Sequence, residues 1–234
     1  MCLKEYYSLI KSEEVVPGKI WGIITASLLF VSFTLASTEV IEFKYLFLNI
    51  PLIFLVFVFE LFKKRKNNLL NISYSMSGVF YIALPLSLLN FFYNPGFIQG
   101  ESNYRILLGF FFLVWIYDVA AYLVGSSIGR HKLYERISPK KTWEGSIGGA
   151  IICMISAFFF SKLFAELSVM NWMIIAAIIV LFGTLGDLIE SMFKRNVNVK
   201  DSGSLLPGHG GLLDRFDSVL FASPFVFVYL LLIT

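Results

Sequence analysis

Cysteine and charge are both scarce in this 234-residue chain, and each scarcity closes off a class of protein. Only Cys2 and Cys153 are present, with no Cys-x-x-Cys pair. Cys153 lies in an apolar block where a thiol behaves as a small hydrophobe, and neither cysteine suggests a disulfide, zinc or redox role. Charged residues make up 15% against 57% hydrophobic, and mean hydropathy is +0.76, more apolar than a water-soluble domain of this length carries. Low-complexity segments, fixed-period repeats and linkers long enough to separate domains are also missing, so residues 1–234 read as a single membrane-embedded domain. The first nineteen residues hold Lys4, Glu5, Lys11, Glu13, Glu14 and Lys19; they lack a signal peptide's apolar core, and no cleaved targeting segment is expected.

What the chain does have is apolar residues in long blocks. At 1.5 Å per residue a block of ~20 matches a hydrocarbon core of ~30 Å. Such blocks run near 20–36, 45–62, 72–92, 106–125, 145–164, 172–188 and 218–233, the last short for a bilayer. They are apolar on all sides, whereas strands of a membrane barrel alternate. The expected fold is therefore an all-α, polytopic transmembrane helix bundle of about seven spans, with kinks expected at Pro51, Pro85 and Pro224. If seven spans are right, sixteen Lys and Arg fall on the side of the N-terminus and only Lys44, Arg105 and Lys162 on the other, which places the N-terminus in the cytoplasm. Topology alone would put basic residues there, so position rather than number must argue for chemistry. The Lys63-Lys64-Arg65-Lys66 run reads as a topological anchor, and Glu60, one turn from Lys63 and Lys64, as structural.

The longest polar loop, 191–217, is unusual for a connector between two helices. Lys194, Arg195, Lys200 and Arg215 alternate there with Asp201, Asp214 and Asp217, and the two signs together suit phosphate plus metal. Gly203, Gly208, Gly210 and Gly211 let backbone approach a ligand and offer N–H groups to phosphate oxygens. A helix starting near Leu212 puts Asp214 and Asp217 on one face, as a magnesium site would need; acids favouring the helix dipole explain them equally well. Upstream, Asp187, Glu190, Ser191 and Lys194 share a third of one helical face at the mouth of a span. An acid facing lipid costs ~2.5–3.5 kcal/mol even on the lenient scale, so Asp187 should face protein or a wet cavity. Asp118 and Tyr122 repeat the pattern one turn apart, and Lys140 and Lys141 follow Pro139 beside Trp143. Those lysines suit phosphate, with snorkelling at a span entrance as the plain alternative.

These residues carry a resemblance. Ser-x-x-Lys-Arg from Ser191, Lys-Asp-Ser-Gly from Lys200, Pro-Gly-His-Gly-Gly-x-x-Asp-Arg-x-Asp from Pro207 to Asp217, and Ser-Pro-Lys-Lys-Thr-Trp-Glu-Gly from Ser138 to Gly145 resemble the phosphatidate cytidylyltransferases, or CDP-diglyceride synthases. The likeness extends weakly over most of the chain, including Trp115, Asp118 and Ala121-Tyr122, and Lys4-Glu5-Tyr6-Tyr7 resembles the stretch that follows extra hydrophobic segments in that family, so the chain looks shortened at its N-terminus. The resemblance implies transfer from CTP to phosphatidate, giving CDP-diacylglycerol and pyrophosphate, at the cytoplasmic face of the cell membrane. Its partners would be the two substrates and membrane lipids, with no nucleic acid. The attacking phosphate oxygen is already ionised, so no general base is required, and catalysis reduces to positioning and charge neutralisation.

On this reading Asp187, Asp214 and Asp217 hold magnesium, with Asp118 and Asp201 as outer or second-site ligands. Lys194, Arg195, Lys200 and Arg215 bind triphosphate or lipid phosphate alongside Lys140, Lys141 and Ser191. The Gly208 to Gly211 turn, with Gly210, donates backbone N–H groups, and His209 is a phosphate donor or shapes the loop rather than acting as a base. The resemblance also admits a second, monovalent cation such as K+ and a homodimer. Two other readings compete: a lipid-linked CTP transferase or CTP-dependent lipid kinase, and a transporter. The transporter is disfavoured because Asp118, Asp187, Asp214 and Asp217 cluster toward one side, leaving no matching acids for alternating access.

Overall fold

The computed structural model of the chain describes residues 1–12, 14–63, 67–93, 104–203 and 210–233. Seven helical runs among them are long and apolar enough to cross a membrane. A short amphipathic helix, α1 (Cys2–Leu9), precedes them. The spans are α2 (Lys19–Ser37), α3 (Phe43–Leu61), α4 (Asn68–Tyr93), α5 (Tyr104–Ile128), α6 (Trp143–Leu163), α7 (Val169–Asn196) and α8 (Leu213–Ile233). The last is not short: its charged first turn, Asp214 to Asp217, is already helical, which gives 21 residues. Likewise α7 runs on past Leu188 as an amphipathic continuation to Asn196. The expected break near Pro85 takes the form of a π turn over Val79–Ala83. Pro51 falls in the first turn of the α-helical part of α3, where a missing N–H costs little. A second π turn, Ile179–Gly183 in α7, occurs without proline.

The chain packs as two compact units, Met1–Phe91 with Asn196–Phe216, and Phe92–Arg195 with Asp217–Thr234. In the first, α1 lays Tyr6 and Tyr7 into the protein. Tyr7 is fully buried and its hydroxyl donates to the Ser75 carbonyl at 2.6 Å; burial pushes the phenol up from its ordinary pKa, so it stays a donor. Its ring fills the space that side chains at Gly22 and Gly78 would need. Glu60, buried on α3, is met by Lys63 at 3.4 Å and by the Asn71 amide at 3.0 Å, a structural pair as its sequence context implied. Residues 64–66 lie outside the described residues.

In the second unit, Trp172 is fully buried against Phe160 and Phe164, and its indole N–H donates to the Phe164 carbonyl at 3.2 Å. Helices α5 and α6 approach closely because α6 offers glycine at positions four apart. A Cβ on Gly145 would come within 2.6 Å of the Ala121 carbonyl oxygen, and one on Gly149 within 2.9 Å of the Ala121 Cβ. Small residues at such spacing let backbones touch where lipid gives no hydrophobic drive. Between these helices the chain forms a hairpin, β1 (Lys132–Tyr134) antiparallel to β2 (Ser138–Thr142), with an irregular register. Thr142 caps α6 by accepting from the Gly145 N–H at 3.2 Å. Glu144 closes the hairpin base, accepting from the Arg130 and His131 backbone N–H groups and lying 2.5 Å from the His131 ring. Overpacking the α5–α6 contact with Gly149→Val is expected to cost about 1–3 kcal/mol, read as a lowered Tm of the detergent-solubilised protein; an unchanged Tm would show that the two helices have room to spare.

Candidate active site

Three spans and the hairpin of the second unit bring ionisable side chains into one neighbourhood. Asp118 comes from α5, Asp187 and Glu190 from α7, Asp217 from α8, and Lys141 from β2. Asp217 lies within electrostatic reach of Asp187, Glu190 and Asp118, and Asp118 within reach of Lys141 and Asp187. Close approach of α7 and α8 has a local cause, since a Cβ on Gly186 would come within 2.6 Å of the Asp217 carbonyl oxygen.

Each acid has a partner. Asp187 forms an ion pair with Lys141 and accepts from the Ser191 hydroxyl at 3.2 Å. Glu190 is fully buried and pairs with Lys194, one turn along α7, at 2.9 Å. Asp217 is buried and accepts from the Ser218 N–H at 2.6 Å, while the Ser218 hydroxyl reaches Asp118 at 3.5 Å. Thus Asp118, Asp187 and Asp217, predicted together from sequence, do meet, as do Lys141, Ser191 and Lys194. The strand separates Lys140 from Lys141, because successive side chains leave opposite faces: Lys141 is half-buried on Asp187 and Lys140 is exposed. Arg195 is exposed and its Nε donates to the Ile137 carbonyl at 3.4 Å.

Four carboxylates are here opposed, among the described residues, by the two lysine ion pairs. That leaves hard oxygen donors in excess of ammonium partners, which fits a divalent cation. No three His, Cys, Asp or Glu side chains among the described residues form a ready-made metal cage. Magnesium does not need one, because it is usually held by one or two carboxylates together with substrate phosphates and water.

The glycine-rich loop belongs to the first unit, and there the structure departs from a simple phosphate cradle. Asp214 Oδ2 accepts from the Gly211 N–H at 2.7 Å, the Ser202 N–H at 3.0 Å and the Ser202 hydroxyl at 3.0 Å. Glu5, on α1, accepts the next two amides, Leu212 at 3.1 Å and Leu213 at 2.8 Å. Two carboxylates therefore satisfy the start of α8, where orphan N–H groups and the helix dipole both favour anions. Gly203 and Gly211 pack on Glu5 so closely that a Cβ on either would come within 3.0 Å of its carboxylate. Gly210 takes a left-handed conformation at φ +81°, which glycine adopts freely. The Gly211 N–H assigned to phosphate from sequence is thus used by Asp214. Lys200, Asp201 and Arg215 are exposed; Gly208 and His209 lie outside the described residues.

The sequence motifs and this geometry agree with the comparisons. Residues 1–233 match the Cytidylyltransferase family. The chain belongs to that family. Among its relatives, the phosphatidate cytidylyltransferase of Staphylococcus epidermidis is 38% identical over 195 residues, 82% of this chain and 71% of the relative. That of Staphylococcus aureus is 37% identical over the same shares, and that of Staphylococcus saprophyticus is 36% identical over 184 residues, 78% of this chain and 68% of the relative.

Glu5 was not legible as part of the loop, since more than two hundred residues separate it from Leu212 and no spacing signal links them. Its replacement in this cytidylyltransferase has a measurable consequence. Glu5→Ala strands two helix-start amides and is expected to destabilise the protein by about 1–2 kcal/mol, whereas Glu5→Gln keeps one acceptor oxygen and is expected to cost less. Hydrogen exchange at the Leu212 and Leu213 amides should accelerate in Glu5→Ala; unchanged protection there would deny Glu5 the capping role.

Proposed function

We propose that the chain transfers a cytidylyl group from CTP to phosphatidate, giving CDP-diacylglycerol and pyrophosphate, and that Asp118, Asp187 and Asp217 organise the reaction. Family membership and the names of the relatives support the substrates. The observation that carries the site assignment is the meeting of acids from α5, α7 and α8 beside Lys141 in a unit otherwise built of apolar helices.

The reaction needs no activated side chain. A phosphatidate oxygen, ionised at neutral pH, forms a bond to the α-phosphorus of CTP as the bond from that phosphorus to the pyrophosphate oxygen breaks. Asp187 and Asp217 would hold magnesium, with Asp118 as an outer ligand. Bound magnesium supplies neutralisation of charge on the α-phosphoryl and departing pyrophosphate oxygens. A monovalent cation such as K+ would be a second occupant of the acidic cluster. Lys141 and Lys194 hold Asp187 and Glu190 in place through their ion pairs, and Ser191 and Ser218 orient Asp187 and Asp217 by hydrogen bonds. The exposed cations Arg195, Lys200, Arg215 and Lys140 serve the triphosphate and the lipid phosphate. Asp214 we assign to holding the loop through Gly211 and Ser202 rather than to the cation. The distribution of basic residues supports a site on the cytoplasmic face of the cell membrane.

The test uses purified protein with phosphatidate and labelled CTP. Wild-type protein should release pyrophosphate and retain CMP on lipid; release of CDP would identify a kinase instead. Asp217→Asn should lower turnover by about a hundredfold or more, and Asp187→Asn should raise the magnesium concentration needed for half-maximal rate. Near-normal turnover in either at saturating magnesium removes that residue from the metal site. Asp214→Asn should slow turnover while leaving the magnesium requirement unchanged; a shifted requirement would return Asp214 to the ligand set.

A further inference from the structure

The first unit contains a groove of about 780 Å³ that none of the chemistry above uses, a size typical of small-molecule sites. Its walls come from α1, α2, α4 and the start of α8. Along α2 it runs from Ile23 to Val31, about 12 Å at 1.5 Å per residue, beginning one turn inside the polar end of the span at Lys19. The walls are apolar, and Lys4 is the only charged side chain lining it. Leu212 and Phe216, which also line it, bracket Asp214 and Arg215 of the Asp-Arg-x-Asp motif.

A groove with this profile calls for a ligand that is long and apolar with an anion at one end. Walls inside a membrane span gain nothing from water, and the exposed Lys4 ammonium has its complement in a phosphate. Leu212 and Phe216 set the groove against the segment of the same unit that carries Asp214 and Arg215. We propose that it takes an acyl chain of the phosphatidate acceptor, whose phosphate lies toward Lys4. The assignment rests on the cytidylyl-transfer reading and adds to it a subsite for the lipid tail.

Ser27 lines the groove and is exposed on α2, whereas Ile24, exposed on the same helix, does not line it. Filling the groove with Ser27→Trp should lower kcat/KM for dioleoyl phosphatidate in phosphatidylcholine vesicles by about tenfold, the loss expected when roughly two methylenes leave apolar contact. Use of short-chain dihexanoyl phosphatidate and the KM for CTP should be unchanged, and Ile24→Trp should match wild type. In wild-type protein, phosphatidate carrying a photoreactive diazirine in its acyl chain should label residues 19–37. Equal losses for long and short acceptors, equal losses in the two tryptophan variants, or label confined to residues 104–196 would overturn the groove while leaving the reaction intact. Failure of wild-type protein to form a CDP-lipid from either acceptor would overturn the reaction and the groove with it.

Discussion

Four carboxylates gathered within an apolar helical unit and met, among the described residues, by only two lysine ion pairs form the constraint on which the site depends. Desolvating a charge costs several kcal/mol, and a pair recovers that only with good geometry and further hydrogen bonds. The second unit provides both. Glu190 and Lys194 are one turn apart on α7, so helix geometry itself sets their meeting. Asp187 takes a lysine from the hairpin and a hydroxyl from its own helix. Among the described residues Asp118 and Asp217 form no ion pair with lysine; serine groups supply the hydrogen bonds seen there. In the proposed reaction these crowded oxygen donors are where a divalent cation would be held.

The loop motif obeys a different economy. Glycine-rich loops are commonly read as phosphate cradles, but a backbone N–H can serve only one acceptor well, and here Gly211, Leu212 and Leu213 already donate to Asp214 and Glu5. The glycines are required because these carboxylates sit against the backbone: a side chain at Gly203 or Gly211 would occupy the space of Glu5, and one at Gly210 would approach Asp214. Ser202, Gly203, Gly210 and Gly211 of the motif segment are therefore held by internal carboxylates, while Lys200 and Arg215 are exposed.

This division explains how much could be read from the sequence. The seven spans were legible because each is a long apolar block, and the acids of α5, α7 and α8 were legible because an ionisable residue beside such a block stands out. The apolar blocks 172–188 and 218–233 mark only part of α7 and α8; the charged turns that complete both helices show in the sequence as acids, with Lys194 in α7, sharing one helical face. Lys140 and Lys141 looked equivalent until the hairpin turned them to opposite faces; its short, irregular strands leave almost no periodic signal. The contribution of α1 was hidden for another reason. Eight residues with charges at 4 and 5 resemble any polar N-terminus, and only tertiary contact reveals their use.

That contact gives α1 a defined place in the first unit. Neighbouring residues on a helix diverge by about 100°, so one short element can address two surroundings at once. Glu5 points to the loop and fixes the start of α8, while Lys4 lines the groove whose far walls are membrane span. Tyr6 and Tyr7 anchor the helix between them, through the Ser77 hydroxyl at 2.8 Å and the Ser75 carbonyl at 2.6 Å. An element so pinned cannot shift toward lipid without pulling on the motif loop. Movement of α1 is thereby resisted at both faces of one short helix, by the buried tyrosines and by the amides at the start of α8.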